Sequence, residues 1–262
     1  MILRVLLTLF FSISLYGSSN SWSSKIDSTL EVGIFLPTVS GTLSNHTSVS
    51  DFKSTLGYSK TEATYLSADI KLDYTYAPNI SLGYFNMQDN ATASLYKKIQ
   101  IADNDFNTSI SSQIDYQVFN VLLYKDLKIK GKMTTLFGKS IYSGDIEFDI
   151  GLNTKLFQWK YQVQDLSDLS RASSWIKVNE FIPLPYLGIK YHWYNLKLYA
   201  DMSTLAFSSA KSTSYQFGLD YRVVAGLYLS ASYLSEEFKV LEDQDTIDFQ
   251  TNGYKFSFKY AF

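Results

Sequence analysis

The chain contains no cysteine, only two histidines and only four prolines in 262 residues. Without disulfides it cannot be a small cross-linked scaffold, so its own hydrogen bonds and packing must stabilise it. The net charge is −2, with acidic and basic residues mixed along the chain, which leaves no basic stripe for a nucleic-acid partner. Beyond the first 15 residues there is no long apolar run, so no transmembrane helix is predicted.

The apolar stretch near the N-terminus has the pattern of a secretory signal peptide. A short basic region ending at Arg4 precedes an apolar run from Val5 to Leu15. This run is shorter than the roughly 20 residues that a membrane-spanning helix needs. We therefore predict an exported protein in which residues 1–17 form a cleaved signal peptide and residues 18–262 form the mature domain. Cleavage one or two residues later fits equally well.

Aromatic residues are abundant, with 21 tyrosines and 18 phenylalanines. The last ten residues show how they are arranged, because every second position is aromatic: Tyr254, Phe256, Phe258, Tyr260 and Phe262. A strand with one face in lipid and the other in a polar lumen requires this alternation. A terminal phenylalanine on such a strand resembles the signal by which outer-membrane β-barrels are recognised for insertion. We predict that these five residues form that insertion signal.

Similar alternation recurs through the chain and predicts an all-β fold, an antiparallel transmembrane β-barrel of about ten strands, with eight to twelve as the range. Long polar connections alternate with short turns, for example at 77–79 and 194–195. The segment 126–143 breaks this rule, because it is long but falls on the short-turn side, and an extra hairpin there would raise the count to twelve.

Pro183 and Pro185 interrupt the sixth strand, and since proline removes hydrogen-bond donors, we expect a bulge.

The polar faces of the strands carry acidic and basic residues in nearly equal numbers. The phase assigned to the fourth strand turns Ile114, Tyr116 and Val118 outward. The charged residues assigned to the lumen are Asp69, Lys71, Asp73, Asp115, Glu147, Asp149, Lys155, Lys190, Asp201, Asp220, Arg222, Lys255 and Lys259, with Asp27, Glu31 and Lys197 on the same face. Charges in a narrow lumen must pair, so a salt-bridged, plugged lumen is predicted. The alternative is a narrow, porin-like passive channel for small solutes, although selective pores more often show a ring of one sign.

The two histidines do not predict an enzyme. Hydrolytic barrels of the outer membrane resemble one another in placing a histidine beside Ser, Asp or Glu near the outer rim. Here His46 lies in the first long loop and His192 near the periplasmic end of the sixth strand. Neither shows the nucleophile and orienting partner that a catalytic histidine needs. The acidic cluster at 242–248 matches no calcium-loop pattern, so we expect no cofactor and no metal site.

Three stretches of the mature chain have a recognisable form. Residues 37–58 are a polar loop ending in Leu-Gly-Tyr, residues 74–82 read as strand, Ala-Pro-Asn turn and strand, and residues 230–262 end in a Gly-aromatic closing strand. They resemble a family of small Gram-negative outer-membrane β-barrel proteins without assigned activity. The resemblance implies the fold and the location, and it contributes no catalytic residue.

These patterns predict an integral barrel of the bacterial outer membrane with both termini in the periplasm. Its expected role is structural, or consists of surface interactions made through extracellular loops. The expected partners are outer-membrane lipid and lipopolysaccharide, together with the barrel-assembly machinery during biogenesis, and no nucleic acid is expected.

Overall fold

A computed structural model describes residues 26–262, apart from 45–47, 59, 75, 97, 102–103, 137–138, 168–173, 207–209 and 243–244. The predicted signal peptide 1–17 and His46 therefore lie outside the described residues. No helix among the described residues is long and apolar enough to cross a membrane. The described strands, in chain order, are β1 (Ile26–Ser44), β2 (Val49–Asp51), β3 (Ala63–Leu72), β4 (Asn79–Ser94), β5 (Ile99–Ile101), β6 (Asn104–Phe106), β7 (Ser109–Ile129), β8 (Met133–Leu136), β9 (Lys139–Tyr142), β10 (Asp145–Asp165), β11 (Ser174–Trp193), β12 (Leu196–Ala206), β13 (Ala210–Val224), β14 (Leu227–Glu242) and β15 (Asp245–Ala261).

Ten of these strands form one closed antiparallel sheet. They pair in the order β1, β3, β4, β7, β10, β11, β12, β13, β14 and β15. The sheet closes because β15 pairs back with β1, from Thr29 opposite Ala261 to Ser44 opposite Thr246. A closed sheet can satisfy its backbone hydrogen bonds between strands, which is what a membrane-spanning β structure requires. The prediction of an antiparallel barrel of ten strands is confirmed.

The connections at one end of the barrel, which we name the turn end, include the two predicted short turns. Residues 73–78 join β3 to β4, and residues 194–195 join β11 to β12. In the second turn Tyr194 has a φ of 51°, a left-handed conformation that lets the chain reverse within two residues. The backbone nitrogen of Phe262 donates to the carbonyl oxygen of Ser28 at a distance of 2.9 Å, so the first and last wall strands also meet here. We name the opposite end the loop end.

The segment that breaks the alternation of long and short connections also lies at the turn end. β7 continues to Ile129, and β8 and β9 then pair only with each other as a separate two-stranded sheet. The extra hairpin therefore exists, but it adds no strand to the barrel wall.

The bulge expected at Pro183 and Pro185 is absent from the β10–β11 pairing. The register runs without a shift through Thr154 opposite Pro183 and Leu152 opposite Pro185. The pairing of β11 with β12 begins only at Tyr186, so the two prolines face a stretch where β12 forms no ladder. A missing N–H group breaks no hydrogen bond there, which explains why the strand tolerates both prolines.

On the long strand β10, the inner and outer faces exchange polarity part of the way along the strand. On β10, the outward side chains near the turn end are apolar, and those beyond Leu156 are polar. The inward side chains show the opposite order, from carboxylates to aromatic rings. From the turn end upward, the outward residues are Ile146, Phe148, Ile150, Leu152, Thr154, Leu156, Gln158, Lys160 and Gln162, and the inward ones are Glu147, Asp149, Gly151, Asn153, Lys155, Phe157, Trp159, Tyr161 and Val163. An apolar exterior around a polar interior is the arrangement of a membrane span.

Candidate functional site in the barrel lumen

The lumen has two zones that follow from this inversion. The zone toward the turn end, which we name the polar zone, holds most of the predicted lumen charges. It contains Glu31, Asp69, Lys71, Tyr124, Glu147, Asp149, Lys155, Lys190, Lys197, Asp201, Asp220, Glu236, Lys255 and Lys259. The zone toward the loop end, which we name the aromatic seal, is a continuous apolar core built on Phe35, Phe52, Tyr58, Phe85, Tyr116, Phe157, Trp159, Tyr161, Phe238 and Phe249.

One group of ion pairs in the polar zone is centred on Glu147. Its Oε1 atom lies 2.7 Å from the Nζ atom of Lys71 and 2.8 Å from that of Lys190. Lys190 also approaches Asp149, with 2.6 Å between Nζ and Oδ2. Both carboxylates are almost fully buried. A buried carboxylate needs such partners, because an unpaired charge inside a protein costs several kcal/mol.

A second group joins β1, β12, β13 and β15. Glu31 lies 3.0 Å from the Nζ atom of Lys255, and Lys259 lies 2.8 Å from Asp220. Lys259 also reaches Glu31 at 3.8 Å, so it bridges the two carboxylates, and Lys197 forms a further ion pair with Asp220. Because these strands follow one another on one side of the barrel, the pairs tie neighbouring strands of the wall together, including β13 to β15 across β14.

The pair of Lys155 and Glu236 marks the upper border of the polar zone. Lys155 on β10 and Glu236 on β14 are both buried, and 2.5 Å separates their Nζ and Oε1 atoms. The same ammonium group lies 5.9 Å from the ring centroid of Phe157, the first aromatic residue above it. Among the ion pairs of the polar zone, this one therefore lies nearest to the aromatic seal.

Two connected cavities remain in the polar zone. The upper one has a volume of about 230 Å³, and the lower one, at the mouth of the turn end, has about 280 Å³. Asp69, Lys190, Lys197 and Lys259 line both, so polar space continues inward from the mouth. Asp201 lines the upper cavity, and in the described part of the chain no cation lies within ion-pair distance of it.

The aromatic seal is centred on Phe52, which is fully buried. Its ring centroid lies 6.2 Å from that of Trp159, 6.0 Å from that of Tyr161 and 5.5 Å from that of Phe249. Trp159 and Tyr161 belong to β10, whereas Phe249 belongs to β15, on another side of the barrel. One side chain from the segment after β2 therefore packs across the whole lumen.

Residues 49–58, which we name the inward segment, hold Phe52 in place. The sequence predicts a polar loop at residues 37–58, but β1 continues to Ser44 and the inward segment folds into the barrel. The backbone nitrogen of Phe52 donates to the carbonyl oxygen of Gly41 at 3.0 Å, and that of Tyr58 donates to the carbonyl oxygen of Phe52 at 2.9 Å. Burial raises the pKa of the Tyr58 hydroxyl above its ordinary value, so this group stays protonated.

Two predicted lumen charges lie elsewhere. Asp115 is on the outer face of β7, since the neighbouring Ile114 and Tyr116 are buried in the seal, and it stands opposite Lys160 on β10. The predicted phase of this strand is therefore wrong by one residue. Asp73 lies beyond the end of β3 in an exposed turn, because the strand stops at Leu72.

Other predicted positions lie at the edges of the lumen. Arg222 lines the mouth of the lower cavity and is exposed, and its Nη2 atom donates to the Oδ1 atom of Asn195 at 2.7 Å. Asp27 is exposed at the same end. Glu236 and the whole aromatic seal were not predicted from the sequence. Glu236 lies on the same face of β14 as the apolar residues Leu234 and Phe238, which are buried. This shared face is the sequence signal that could have assigned Glu236 to the lumen.

The five aromatic residues assigned to the insertion signal form one row on the outer face of β15. Tyr254, Phe256, Phe258, Tyr260 and Phe262 are all between 48% and 62% exposed, toward the lipid side of the wall. The exposed parts of these side chains face the side of the wall where lipid or an assembly partner would lie, and their role in insertion stays a prediction.

His192 lies at the mouth of the lower cavity. Its Nε2 atom is 3.9 Å from a carboxylate oxygen of Glu147 and has no hydrogen-bond partner among the residues that the structure describes. Across those residues, no group of three His, Asp or Glu side chains could hold a metal ion. The acidic cluster predicted for a last loop falls largely on strands, and Asp248 on β15 lies 3.7 Å from Lys239 on β14, while Asp243 is outside the described residues.

The geometry above decides the class of the molecule. It is a ten-stranded transmembrane β-barrel of the outer-membrane type. No protein-family model matches the chain, and no curated protein matches it in sequence. The predicted resemblance to small bacterial outer-membrane barrels is confirmed for the fold, because the sheet closes into a barrel.

Several solved structures are similar to the chain at very low sequence identity. The outer membrane protease OmpT from Escherichia coli is 9% identical with a TM-score of 0.48, over 94% of this chain and 100% of that one. The translocator domain of the autotransporter NalP from Neisseria meningitidis is 11% identical with a TM-score of 0.45, over 98% of this chain and 95% of that one. Ail, the attachment invasion locus protein of Yersinia pestis, is 8% identical with a TM-score of 0.38, over 91% of this chain and 99% of that one.

Proposed function

We propose that this protein is an integral barrel of the bacterial outer membrane whose lumen is closed, and that it acts as a structural component or through surface interactions of its loop end. The observation that carries the proposal is the packing of Phe52 against Trp159, Tyr161 and Phe249 across the lumen. A solute crossing the barrel would have to pass this dry aromatic layer. Because polar groups lose their hydration there without new partners, each would cost several kcal/mol.

The orientation of the barrel follows the rule for bacterial outer-membrane barrels. Short turns lie in the periplasm and longer loops outside, so the turn end would face the periplasm and the loop end the exterior. The polar zone would then be a periplasm-facing vestibule that ends at the aromatic seal. The ion pairs around Glu147 and Glu31 support a role in holding the barrel shape, since they connect several strands.

A narrow passive channel is the second candidate. The polar cavities of about 230 and 280 Å³ favour it, because each is large enough to hold several water molecules. The aromatic seal argues against it in the conformation described. An enzyme has less support still, because His192 has no hydrogen-bonded partner among the described residues that could activate it.

The proposed partners are those of any barrel in this membrane. The apolar belt fits the acyl chains of outer-membrane lipid. The exposed row from Tyr254 to Phe262 is the surface that we propose the barrel-assembly machinery contacts during insertion. Lysines such as Lys160 and Lys177 stand opposite each other on the outer face just above the belt, where lipopolysaccharide phosphates would lie.

Single-channel recording of the purified, refolded protein in a planar bilayer tests the closed lumen. The expected result is a silent bilayer, with folding shown by the different gel mobility of boiled and unboiled samples. Discrete conductance steps in the natural protein would overturn the proposal in favour of the channel.

A variant separates the seal from the rest of the barrel. Phe52→Ala combined with Trp159→Ala removes two neighbouring rings at the centre of the seal and should allow brief conductance events. The matched control is Lys53→Ala, which changes an exposed neighbour in the same segment and should stay silent. If the doubly substituted barrel is folded and equally silent, the aromatic seal is not what closes the lumen.

A further inference from the structure

The segment between β7 and β10 carries an unusual excess of positive charge. Five lysines and a single acidic residue lie between residues 125 and 143: Lys125, Lys128, Lys130, Lys132 and Lys139, with Asp126. This segment forms the β8–β9 hairpin at the turn end.

The hairpin leaves the barrel where the apolar exterior ends. Leu127 and Ile129, the last outward residues of β7, are 65% and 58% exposed. Ile129 stands opposite Ile146, the first outward residue of β10, and the hairpin begins directly after this pair. In a membrane, the base of the hairpin therefore lies at the level of the lipid headgroups.

The base of the hairpin is held by hydrogen bonds. The Oδ1 atom of Asp145 accepts one from the backbone nitrogen of Gly131 at 2.7 Å and another from the hydroxyl of Tyr142. The backbone nitrogen of Lys132 donates to the Oγ atom of Ser143 at 2.8 Å. The Tyr142 hydroxyl and the Gly131 amide hold the pKa of Asp145 below its ordinary value, so this anchor stays ionised at neutral pH.

Two of the five lysines are committed to partners in the barrel. Lys128 lies 3.0 Å from Asp126, and the Nζ atom of Lys125 donates to the backbone oxygen of Tyr74 at 2.7 Å. Lys130 and Lys132 are exposed, and among the described residues no carboxylate lies within ion-pair distance of either.

Beside these two lysines stands Met133, which is 64% exposed. Cationic groups next to an exposed apolar side chain are the pattern of a surface that lies in a membrane interface. An acidic protein or a cell-wall polymer would need the positive charge but not the exposed methionine at headgroup level.

We propose that the β8–β9 hairpin docks onto the anionic phospholipid headgroups of the leaflet at the turn end, through Lys130, Lys132 and Met133. The two ammonium groups pair with lipid phosphates, and Met133 enters the boundary between headgroups and acyl chains. This inference rests on the proposed placement of the barrel in a membrane with the turn end at the periplasmic leaflet.

The absence of cysteine from the chain permits a clean test. Met133→Cys, labelled with an environment-sensitive fluorophore, is placed as folded full-length protein in nanodiscs of phosphatidylcholine alone or with phosphatidylglycerol. We expect a blue shift, and quenching by headgroup-brominated lipid, only with the anionic lipid. Lys130→Gln with Lys132→Gln should lower the ratio of docked to free hairpin about 30-fold, since each lysine near an anionic surface contributes about a factor of five.

The matched control removes two lysines from the other end of the molecule. Lys53→Gln with Lys60→Gln changes the net charge equally at exposed positions of the loop end, and the emission should not change. Equal emission in both kinds of nanodisc, or no effect of the Lys130 and Lys132 substitutions, would overturn the proposal. So would a response to soluble peptidoglycan fragments without one to anionic lipid.

Insertion of the barrel into the membrane is measured by a separate assay. The gel mobility of unboiled protein recovered from the nanodiscs reports whether the barrel is folded. A folded barrel with an unresponsive label rejects the hairpin inference alone, whereas a barrel that does not enter nanodiscs rejects the membrane placement.

Discussion

Replacing Phe52 tests how much the inward segment contributes to the stability of the barrel. The side chain is fully buried and packs against four aromatic rings, those of Tyr58, Trp159, Tyr161 and Phe249, at centroid distances from 5.5 to 6.2 Å. Truncating a buried phenylalanine to alanine typically lowers the free energy of unfolding by about 3–5 kcal/mol. Since the four rings come from three parts of the chain and cannot all move into the space, we expect Phe52→Ala to lie in the upper half of that range.

The measurement is urea-induced unfolding of the refolded barrel in detergent micelles, followed by tryptophan fluorescence and by gel mobility. Trp159 lies against Phe52, so its emission should also shift in the folded variant. Lys53→Ala is the control, because an exposed neighbour in the same segment should change stability by no more than about 0.5 kcal/mol. A folded Phe52→Ala variant as stable as this control would refute the inference that the inward segment is part of the core.

Three further predictions concern other parts of the barrel. Glu236→Gln leaves Lys155 buried without a counter-ion and should lower the free energy of unfolding by about 3–5 kcal/mol. Lys155→Met combined with Glu236→Leu removes both charges, so most of the lost free energy of unfolding should be restored in the same urea assay. Phe148→Arg, at the bilayer midplane, should lower the free energy of unfolding by about 2–4 kcal/mol. Gln158→Arg, on the same outer face beyond the belt, should lower it by less than about 1 kcal/mol. Equal losses of stability would mean that the belt is misplaced. Removing Phe262 should reduce the amount of folded protein in the membrane of producing cells, and normal levels would contradict the insertion-signal interpretation.

The fold was predictable where one face of a strand meets lipid. The closing strand from Gly253 to Phe262 and the first part of β10 alternate between apolar and polar residues, so the outer face could be assigned from period two alone. The closure of the sheet and the count of ten followed from the same pattern. The turns at 77–79 and 194–195 were predictable because proline and asparagine favour reversals.

The error on β7 has a physical cause. The prediction for β7 rests on apolar side chains facing outward along the whole strand, which holds only within the membrane. Ile114, Tyr116 and Val118 lie in the part of the strand beyond the belt, where the interior is dry, so they point inward and Asp115 points out. Inward and outward side chains alternate without interruption along each long strand. The outward position of Leu123 could therefore have shown which residues of the whole strand face outward.

The inward segment lay beyond what local pattern could show. Phe52, Leu56 and Tyr58 are separated by polar residues in a stretch rich in Ser, Thr and Gly, which predicts a solvated loop. Their burial depends on rings contributed by β10 and β15, more than 100 residues away in sequence. Likewise, the pairing of Glu236 with Lys155 joins residues 81 positions apart, and no local rule connects them.

The aromatic seal follows from strand length. Strands β7 and β10 have 21 residues each, whereas a tilted strand of about 9–11 residues suffices to cross a bilayer. At a rise of about 3.3 Å per residue, roughly half of each strand must stand beyond the membrane. There the exterior meets water, so it is polar, and the interior must be filled by apolar side chains as in a soluble barrel. A tall barrel with a continuous strand phase thus inverts its polarity once, and the inversion itself produces a dry layer across the lumen. Because the ion pairs of the polar zone do not contribute to this layer, we expect that substituting the lumen charges alone leaves single-channel recordings silent.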